Sequence, residues 1–252
     1  MNGSDQTMQI PDELGASLRS AGHITVLTGS GISAESGVPT FRDAQTGLWS
    51  KYDPQSLATP EAFEKDPKLV WDWYRWRREL VDKAKPNPGH LALVEMERNV
   101  PRFSLITQNV DGLHRLAGSS DSIEIHGNIM RSRCTSEGVL IEESDKTTGE
   151  LPRCPKCGSL LRPDVVWFGE MVPPTNFDRA LTASRTCDVF LGVGTSSVVQ
   201  PAASLVLESR NAGAFTVEIN IEDTPATPFF DIALRGSAAT LLPQLVDLFK
   251  EG

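Results

Sequence analysis

The chain has 252 residues, enough for one large domain or for a domain carrying inserted modules. Its 24 Lys and Arg against 33 Asp and Glu leave a net charge of -9, so no global field draws it to DNA, RNA or an anionic membrane. No stretch approaches the roughly 20 apolar residues of a membrane span, and Met1-Asn2-Gly3-Ser4-Asp5 carries neither a basic signal-peptide start nor an Arg-rich transit pattern, so a cytoplasmic protein is expected.

Around Pro11, Ile10, Leu14 and Leu18 recur at helical spacing and predict a short amphipathic entry helix. The run His23-Ile24-Thr25-Val26-Leu27 is short and β-branched enough for a buried strand of a parallel sheet. It ends in glycines. Gly29, Gly31 and Ala34 fit the G-x-G-x-x-G/A turn that brings backbone N–H groups to a pyrophosphate at the start of a helix, although an ordinary strand-to-helix turn reads the same. Ser36-Gly37-Val38-Pro39-Thr40-Phe41-Arg42 adds a second turn, then an aromatic and a cation. Residues 43–87 are polar, Trp-rich and without strand-like runs, which predicts a helical insertion. Within it Asp66 caps and Pro67 opens a helix whose buried stripe is expected to be Leu69, Trp73, Trp76 and Leu80. Tyr74 and Arg77, three apart on an adjacent face, can aim a phenol and a guanidinium at one spot; on spacing alone they read as a half-buried Tyr beside a solvated Arg.

Lys85-Pro86-Asn87-Pro88-Gly89-His90 breaks that helix and begins another, with Leu91, Leu93, Val94 and Met96 as apolar faces and His90 as a structural hydrogen-bonding residue. The sheet resumes at residues 103–107 and ends in Gln108-Asn109-Val110-Asp111-Gly112-Leu113-His114. Polar residues at the C-terminal end of a buried parallel strand sit where ligands bind in open α/β sheets, though an Asx turn also accounts for Asn109 and Asp111. A further short strand, Ile123-Glu124-Ile125, closes on His126-Gly127-Asn128, and a His there is a candidate base with an ordinary pKa of about 6.5. Between 129 and 163, Cys134 and the pair in Cys154-Pro155-Lys156-Cys157 resemble a C-x₂-C…C-x₂-C zinc ribbon, but Glu137 stands where the fourth thiol belongs. Either zinc is held by three cysteines plus an oxygen ligand, or the module holds without metal; Cys187 reads as a packed core thiol. Residues 162–170 return to extended apolar sequence, 189–194 and 214–219 read as the last parallel strands, and Leu241, Leu245 and Leu248 place a final helix on the sheet.

Taken together, the 28–42 loop, Trp73-Tyr74-Arg75-Trp76-Arg77-Arg78-Glu79, the 107–114 stretch, His126-Gly127 and Val165-Val166-Trp167-Phe168-Gly169-Glu170 resemble the sirtuins, the NAD-dependent protein-lysine deacylases. The usual family form has Ala where this chain has Ser30. The resemblance implies that Gly29, Ser30, Gly31, Glu35, Phe41 and Arg42 contact NAD from the first loop. Gln108 and Asn109 would hold the nicotinamide ribose and its water, Asp111 the nicotinamide carboxamide, Gly194, Thr195 and Ser196 the phosphates and ribose, Asn220 the adenosine ribose, and the turn at Ala238 the adenine. It implies His126 as catalytic base beside Asn109, and Val166, Trp167, Phe168 and Gly169 as the acyl-lysine tunnel and peptide-pairing segment. Tyr-x-x-Arg at Tyr74 and Arg77, with the small Ala58, resembles the class III subgroup, in which that pair binds the carboxylate of succinyl-, malonyl- or glutaryl-lysine. Cys134, Cys154 and Cys157 correspond to three of the family's four zinc thiols. The fold implied is α/β: a Rossmann-like parallel sheet (1–42, 91–128 and 164–252) plus a small domain made of a helical module (43–90) and a zinc-ribbon-like module (129–163). The expected partners are acyl-lysine proteins or peptides, with no nucleic acid and no membrane, and a monomer is expected. Three other readings have distinct signatures: a dehydrogenase would reduce the nicotinamide, a mono-ADP-ribosyltransferase would leave label from NAD on protein, and an acyl-lysine reader would release no nicotinamide. A simple deacetylase without acidic-acyl preference is the remaining alternative.

Overall fold

Residues 10–39, 51–142 and 150–249 are described here from a computed structural model. In chain order the elements are α1 (Asp12–Ser20), β1 (His23–Thr28), a 3-10 turn (Ser30–Ser36), α2 (Pro54–Leu57), α3 (Pro60–Lys65), α4 (Pro67–Lys83), α5 (Pro88–Asn99) and β2 (Arg102–Thr107). Then come α6 (Leu113–Ala117), β3 (Ser122–Glu124), β4 (Gly127–Cys134), β5 (Leu140–Ile141), β6 (Leu161–Val165), α7 (Pro174–Thr186), β7 (Val189–Val193), α8 (Leu205–Asn211), β8 (Phe215–Asn220), β9 (Ile232–Arg235) and α9 (Ala238–Asp247). Six strands pair in parallel in the order β3-β2-β1-β7-β8-β9, and β5-β4-β6 form a separate antiparallel sheet. The strand order reverses between β1 and β7, which opens a crevice beyond their C-terminal ends.

Both faces of the large sheet are covered, which is why every residue of β1 is buried. Leu14 and Leu18 of α1, Leu93 and Met96 of α5 and Leu241, Leu242 and Leu245 of α9 fill one side; Ala180, Ala183, Leu205 and Val206 of α7 and α8 fill the other against Leu27, Ile106 and Phe190. Cys187 is one of these packed core residues, its Sγ donating to the Ser184 carbonyl. Burying six apolar residues of this kind, at about 1.5–3 kcal/mol each, already approaches the size of a domain's net stability. Among the described residues no helix is long and apolar enough to cross a membrane.

Several expectations are corrected. The chain adds a sixth parallel strand, β9, that periodicity missed because only four residues pair and just one, Leu234, is fully buried. The buried stripe of α4 is Val70, Trp71, Trp73 and Tyr74, so Trp73 stays inside while Leu69, Trp76 and Leu80 are only half-buried. The rotation follows from α4 being packed by α3 on one side and by the small sheet on the other, where Trp71 Nε1 donates to the Leu161 carbonyl at 2.8 Å. Leu91 is exposed rather than part of an apolar face. Extended structure after β6 stops at Val165, and β6 belongs to the small sheet; Phe168 and Gly169 lie in a turn, with Gly169 at φ 85°.

Candidate active site

Two glycine loops meet at the crevice. The N–H groups of Gly29 and Gly31 donate to the carbonyls of Val193 and Gly194 at 2.9 and 2.8 Å. A Cβ on Gly29 would come within 2.7 Å of the Gly194 carbonyl oxygen, and one on Gly31 within 2.7 Å of Gly194 Cα. These two glycines are therefore required by the approach of one loop to the other, and their own amides are occupied within the protein; the helix that follows is a 3-10 turn. Ser30 and Glu35 are exposed beside it, while Phe41 and Arg42 lie outside the described residues. Thr195 joins the two halves of the crevice: its hydroxyl accepts from Gln108 Nε2 at 2.8 Å and its carbonyl from Asn220 Nδ2 at 2.8 Å. Ser196 is half-buried next to it, and Ala238, buried, opens α9 at the far end of the same edge. Every described residue expected to touch NAD thus sits on a C-terminal strand end, on a loop leaving one, or at the start of α9.

Behind the crevice, Asn109 Nδ2 donates to Ser33 Oγ at 3.1 Å, and Ser33 Oγ donates to Asp111 Oδ2 at 2.7 Å. Ser33 was not singled out in the sequence; a small polar residue inside a glycine-rich turn carries no pattern that marks it as buried. Burial raises the Asp111 carboxyl above its ordinary range, against the bonds from the Leu113 amide and Ser33. His126 occupies the two-residue turn between β3 and β4. Its Nδ1 bonds the Gln108 carbonyl at 3.1 Å, which makes Nδ1 the protonated nitrogen of the neutral ring and leaves Nε2 for proton transfer. Burial lowers the imidazole pKa, more than that bond raises it, so the ring is neutral and basic at pH 7.

The α4 pair lies over this site. Tyr74 is fully buried, its hydroxyl accepting from Trp167 Nε1 at 2.9 Å, and Arg77 stacks its guanidinium 4.9 Å from the Trp73 ring centre and 5.8 Å from that of Tyr74. Arg77 and Asp111 are close enough to influence one another's ionisation. Ala58, buried at the end of α2, accepts at its carbonyl from the Phe168 amide at 2.9 Å, and the Val166 amide donates to the His126 carbonyl at 3.0 Å. Trp167 is buried against Phe63 with ring centres 5.4 Å apart, whereas Phe168 and Gly169 face solvent. The structure therefore brings Ala58, Tyr74, Arg77, Trp167, Val166 and His126 into one contiguous wall.

The sulfurs of Cys134, Cys154 and Cys157 all lie within 4.8 Å of one another. Zinc–sulfur bonds of about 2.3 Å in a tetrahedron need thiolates about 3.8 Å apart, so the three fit three corners of a zinc site, and zinc there would cross-link the turns of the small sheet. Those turns are alike: the Gly138 amide donates to the Cys134 carbonyl and the Gly158 amide to the Cys154 carbonyl, both at 2.9 Å, with the two glycines at φ 67° and 74°. Glu137 occupies in the first turn the position that Cys157 holds in the second.

A parallel sheet with its crevice at the strand-order reversal, and a His, Asn and Asp set where the chain passes into a cysteine-bearing module, define the architecture of a nucleotide-dependent enzyme. Residues 29–201 match the Sir2 family. An NAD-dependent protein deacylase of Pyrococcus furiosus is 54% identical over 226 residues, 87% of this chain and 90% of the relative; one of Aquifex aeolicus is 51% identical over 230 residues, 91% and 96%. The crystal structure of a Sir2 homologue–NAD complex superposes with a TM-score of 0.91 at 47% identity, covering 96% of this chain and 95% of the other. A Sir2 bound to acetylated peptide gives 0.85 at 28% identity, covering 95% and 98%. The chain belongs to the Sir2 family and is an NAD-dependent enzyme.

Proposed function

We propose that this chain removes acidic acyl groups, succinyl, malonyl or glutaryl, from lysine in preference to acetyl, as a specialisation of the NAD-dependent protein deacylase activity of its family. The observation that carries the preference is Arg77, a half-buried cation on the wall shared with Tyr74, Trp167 and His126. A guanidinium withdrawn from water gains most from a carboxylate partner. Tyr74 uses its hydroxyl oxygen to accept from Trp167, so its own proton can reach the same carboxylate, and the methyl of Ala58 leaves room for the longer chain.

NAD serves as a co-substrate. Residues around Gly31 and Gly194 to Ser196 hold its phosphates, and Asp111 holds the nicotinamide carboxamide while the bond from nicotinamide to ribose C1′ breaks. The acyl oxygen of the lysine substrate, brought in past Val166 and Trp167, bonds to C1′. His126 then takes the proton of a ribose hydroxyl, that oxygen attacks the acyl carbon, and water completes release. The products are nicotinamide, free lysine and O-acyl-ADP-ribose. Alignment of two reactants lowers a barrier by roughly 7–11 kcal/mol, more than the 10²–10⁴-fold that one base supplies, so positioning dominates.

Mass spectrometry of reactions with NAD and peptides bearing acetyl, malonyl, succinyl or glutaryl lysine tests the reading. A charge-assisted hydrogen bond of about 1.5–3 kcal/mol corresponds to roughly 10- to 150-fold in kcat/KM, so Arg77→Met should lose that much on succinyl-peptide and change little on acetyl-peptide. An Arg77→Met enzyme with unchanged succinyl kcat/KM removes the basis of the assignment.

A further inference from the structure

The turn that carries His126 is also where the chain leaves the large sheet for the small one. Glu124, the last residue of β3, directs both carboxylate oxygens across that turn: Oε1 accepts from Asn128 Nδ2 at 2.7 Å, and Oε2 pairs with Arg131 Nη2 at 2.7 Å. Arg131 continues to β6, its Nε donating to Asp164 Oδ2 at 3.0 Å. The backbone of Asp164 closes the same turn from outside, since a Cβ on Gly127, at φ 82°, would lie 2.1 Å from the Asp164 carbonyl oxygen. Asn128 in turn rests against Gly112, where an added Cβ would sit 3.1 Å from Nδ2, and the Ile129 amide donates to the Val110 carbonyl at 2.8 Å. One carboxylate, on the residue two before His126, thereby ties together the residues two and five after it across the turn. Only 12% of the Glu124 side chain is exposed, so its hydrogen bonds are made to these partners more than to water.

We propose that Glu124 is a positioning residue for His126, which by bonding Asn128 and Arg131 together holds the turn so that Nδ1 stays on the Gln108 carbonyl and Nε2 meets the ribose hydroxyl. It touches neither substrate nor NAD. A catalytic group displaced by about 1 Å loses on the order of 10²-fold in rate. Nicotinamide leaves before His126 acts, so a fault confined to His126 spares that first step; in this the proposal rests on the mechanism given above.

The test is a double-mutant cycle read with two assays, deacylation at saturating NAD and peptide, and exchange of labelled nicotinamide into NAD. Glu124→Ala should lower the deacylation kcat by about 10- to 100-fold with the KM for NAD within about twofold, and should keep exchange within about threefold. On a His126→Ala background the same change should cost less than about twofold more, because the route proposed for it, through His126, is already gone. Glu124→Gln, the near-isosteric variant that keeps an oxygen for Asn128 but loses the ion pair, should show the same pattern more weakly and serves if the alanine variant does not melt cooperatively. Exchange falling in step with deacylation, losses that multiply in the double variant, or wild-type deacylation in Glu124→Ala each overturn the proposal. Full turnover in His126→Ala would instead overturn the mechanism beneath it.

Discussion

At His126 the bond from Nδ1 to the Gln108 carbonyl sets the tautomer, and burial keeps the ring neutral. His126→Ala should therefore abolish most deacylation while NAD and peptide still bind, measured by turnover alongside calorimetric titration; unchanged turnover refutes the role. The sign of the pH dependence follows from the depressed pKa. The base is lost only as pH falls through a value below the ordinary 6.5 of histidine, so the acid limb of kcat/KM should lie below pH 6.5. A limb at or above that value contradicts the assignment. Asn109, Asp111 and His126 were legible in the sequence because each sits beside a glycine or turn at a strand end. Ser33 and Arg131 were not, since each meets a partner far along the chain: Ser33 meets Asp111, 78 residues on, and Arg131 meets Asp164, 33 residues on.

Among elements, those defined by local chemistry were read well and those defined by their surroundings were not. The Asp66 cap accepts from the Leu69 amide at 2.9 Å as its sequence requires, whereas the buried face of α4 depended on what packs around it. Pro88-Gly89-His90 shows the same division: His90 closes a capping box with Asn87, the structural role expected for it, but the exposure of Leu91 follows from where α5 meets α9. The paired turns of the small sheet carry a prediction of their own. Protein purified without added metal should hold about one zinc per chain by atomic absorption, since three clustered thiolates already supply most of a structural site. Glu137→Cys should complete the fourth corner and tighten retention against a chelator, and Cys157→Ser should weaken it. A stoichiometry near zero in the unmodified protein retires the idea.

For the molecule as a whole, acid should weaken the fold, because the joint between the large sheet and its covering helices contains two uncharged imidazoles. His90 of α5 and His114 of α6 lie with ring centres 4.9 Å apart, both buried. His114 Nε2 bonds Thr28 Oγ1 at 2.9 Å, and its Nδ1 has no hydrogen-bond partner among the described residues, so a second proton there would be buried with nothing to accept it. Burial pushes His90 down to about 4; burial, and then the neighbouring His90, push His114 down to about 3. The unfolded chain takes up both protons near pH 6.5, so below that value the unfolded state binds more protons than the native state, and stability falls with pH until the folded values are reached. Around pH 5 the two together should contribute a slope of about 2.7 kcal/mol per pH unit, on the order of 1.4 from each. The penalty of keeping them neutral is absent above about pH 7 and grows as pH falls from about 6.5 to the folded values of about 4 and 3. Urea unfolding at pH 7, 6 and 5 should show this decline, and His114→Gln, although less stable at pH 7, should remove about 1.4 kcal/mol per pH unit of it near pH 5. The same slope in that variant would mean that the acid sensitivity resides in other groups.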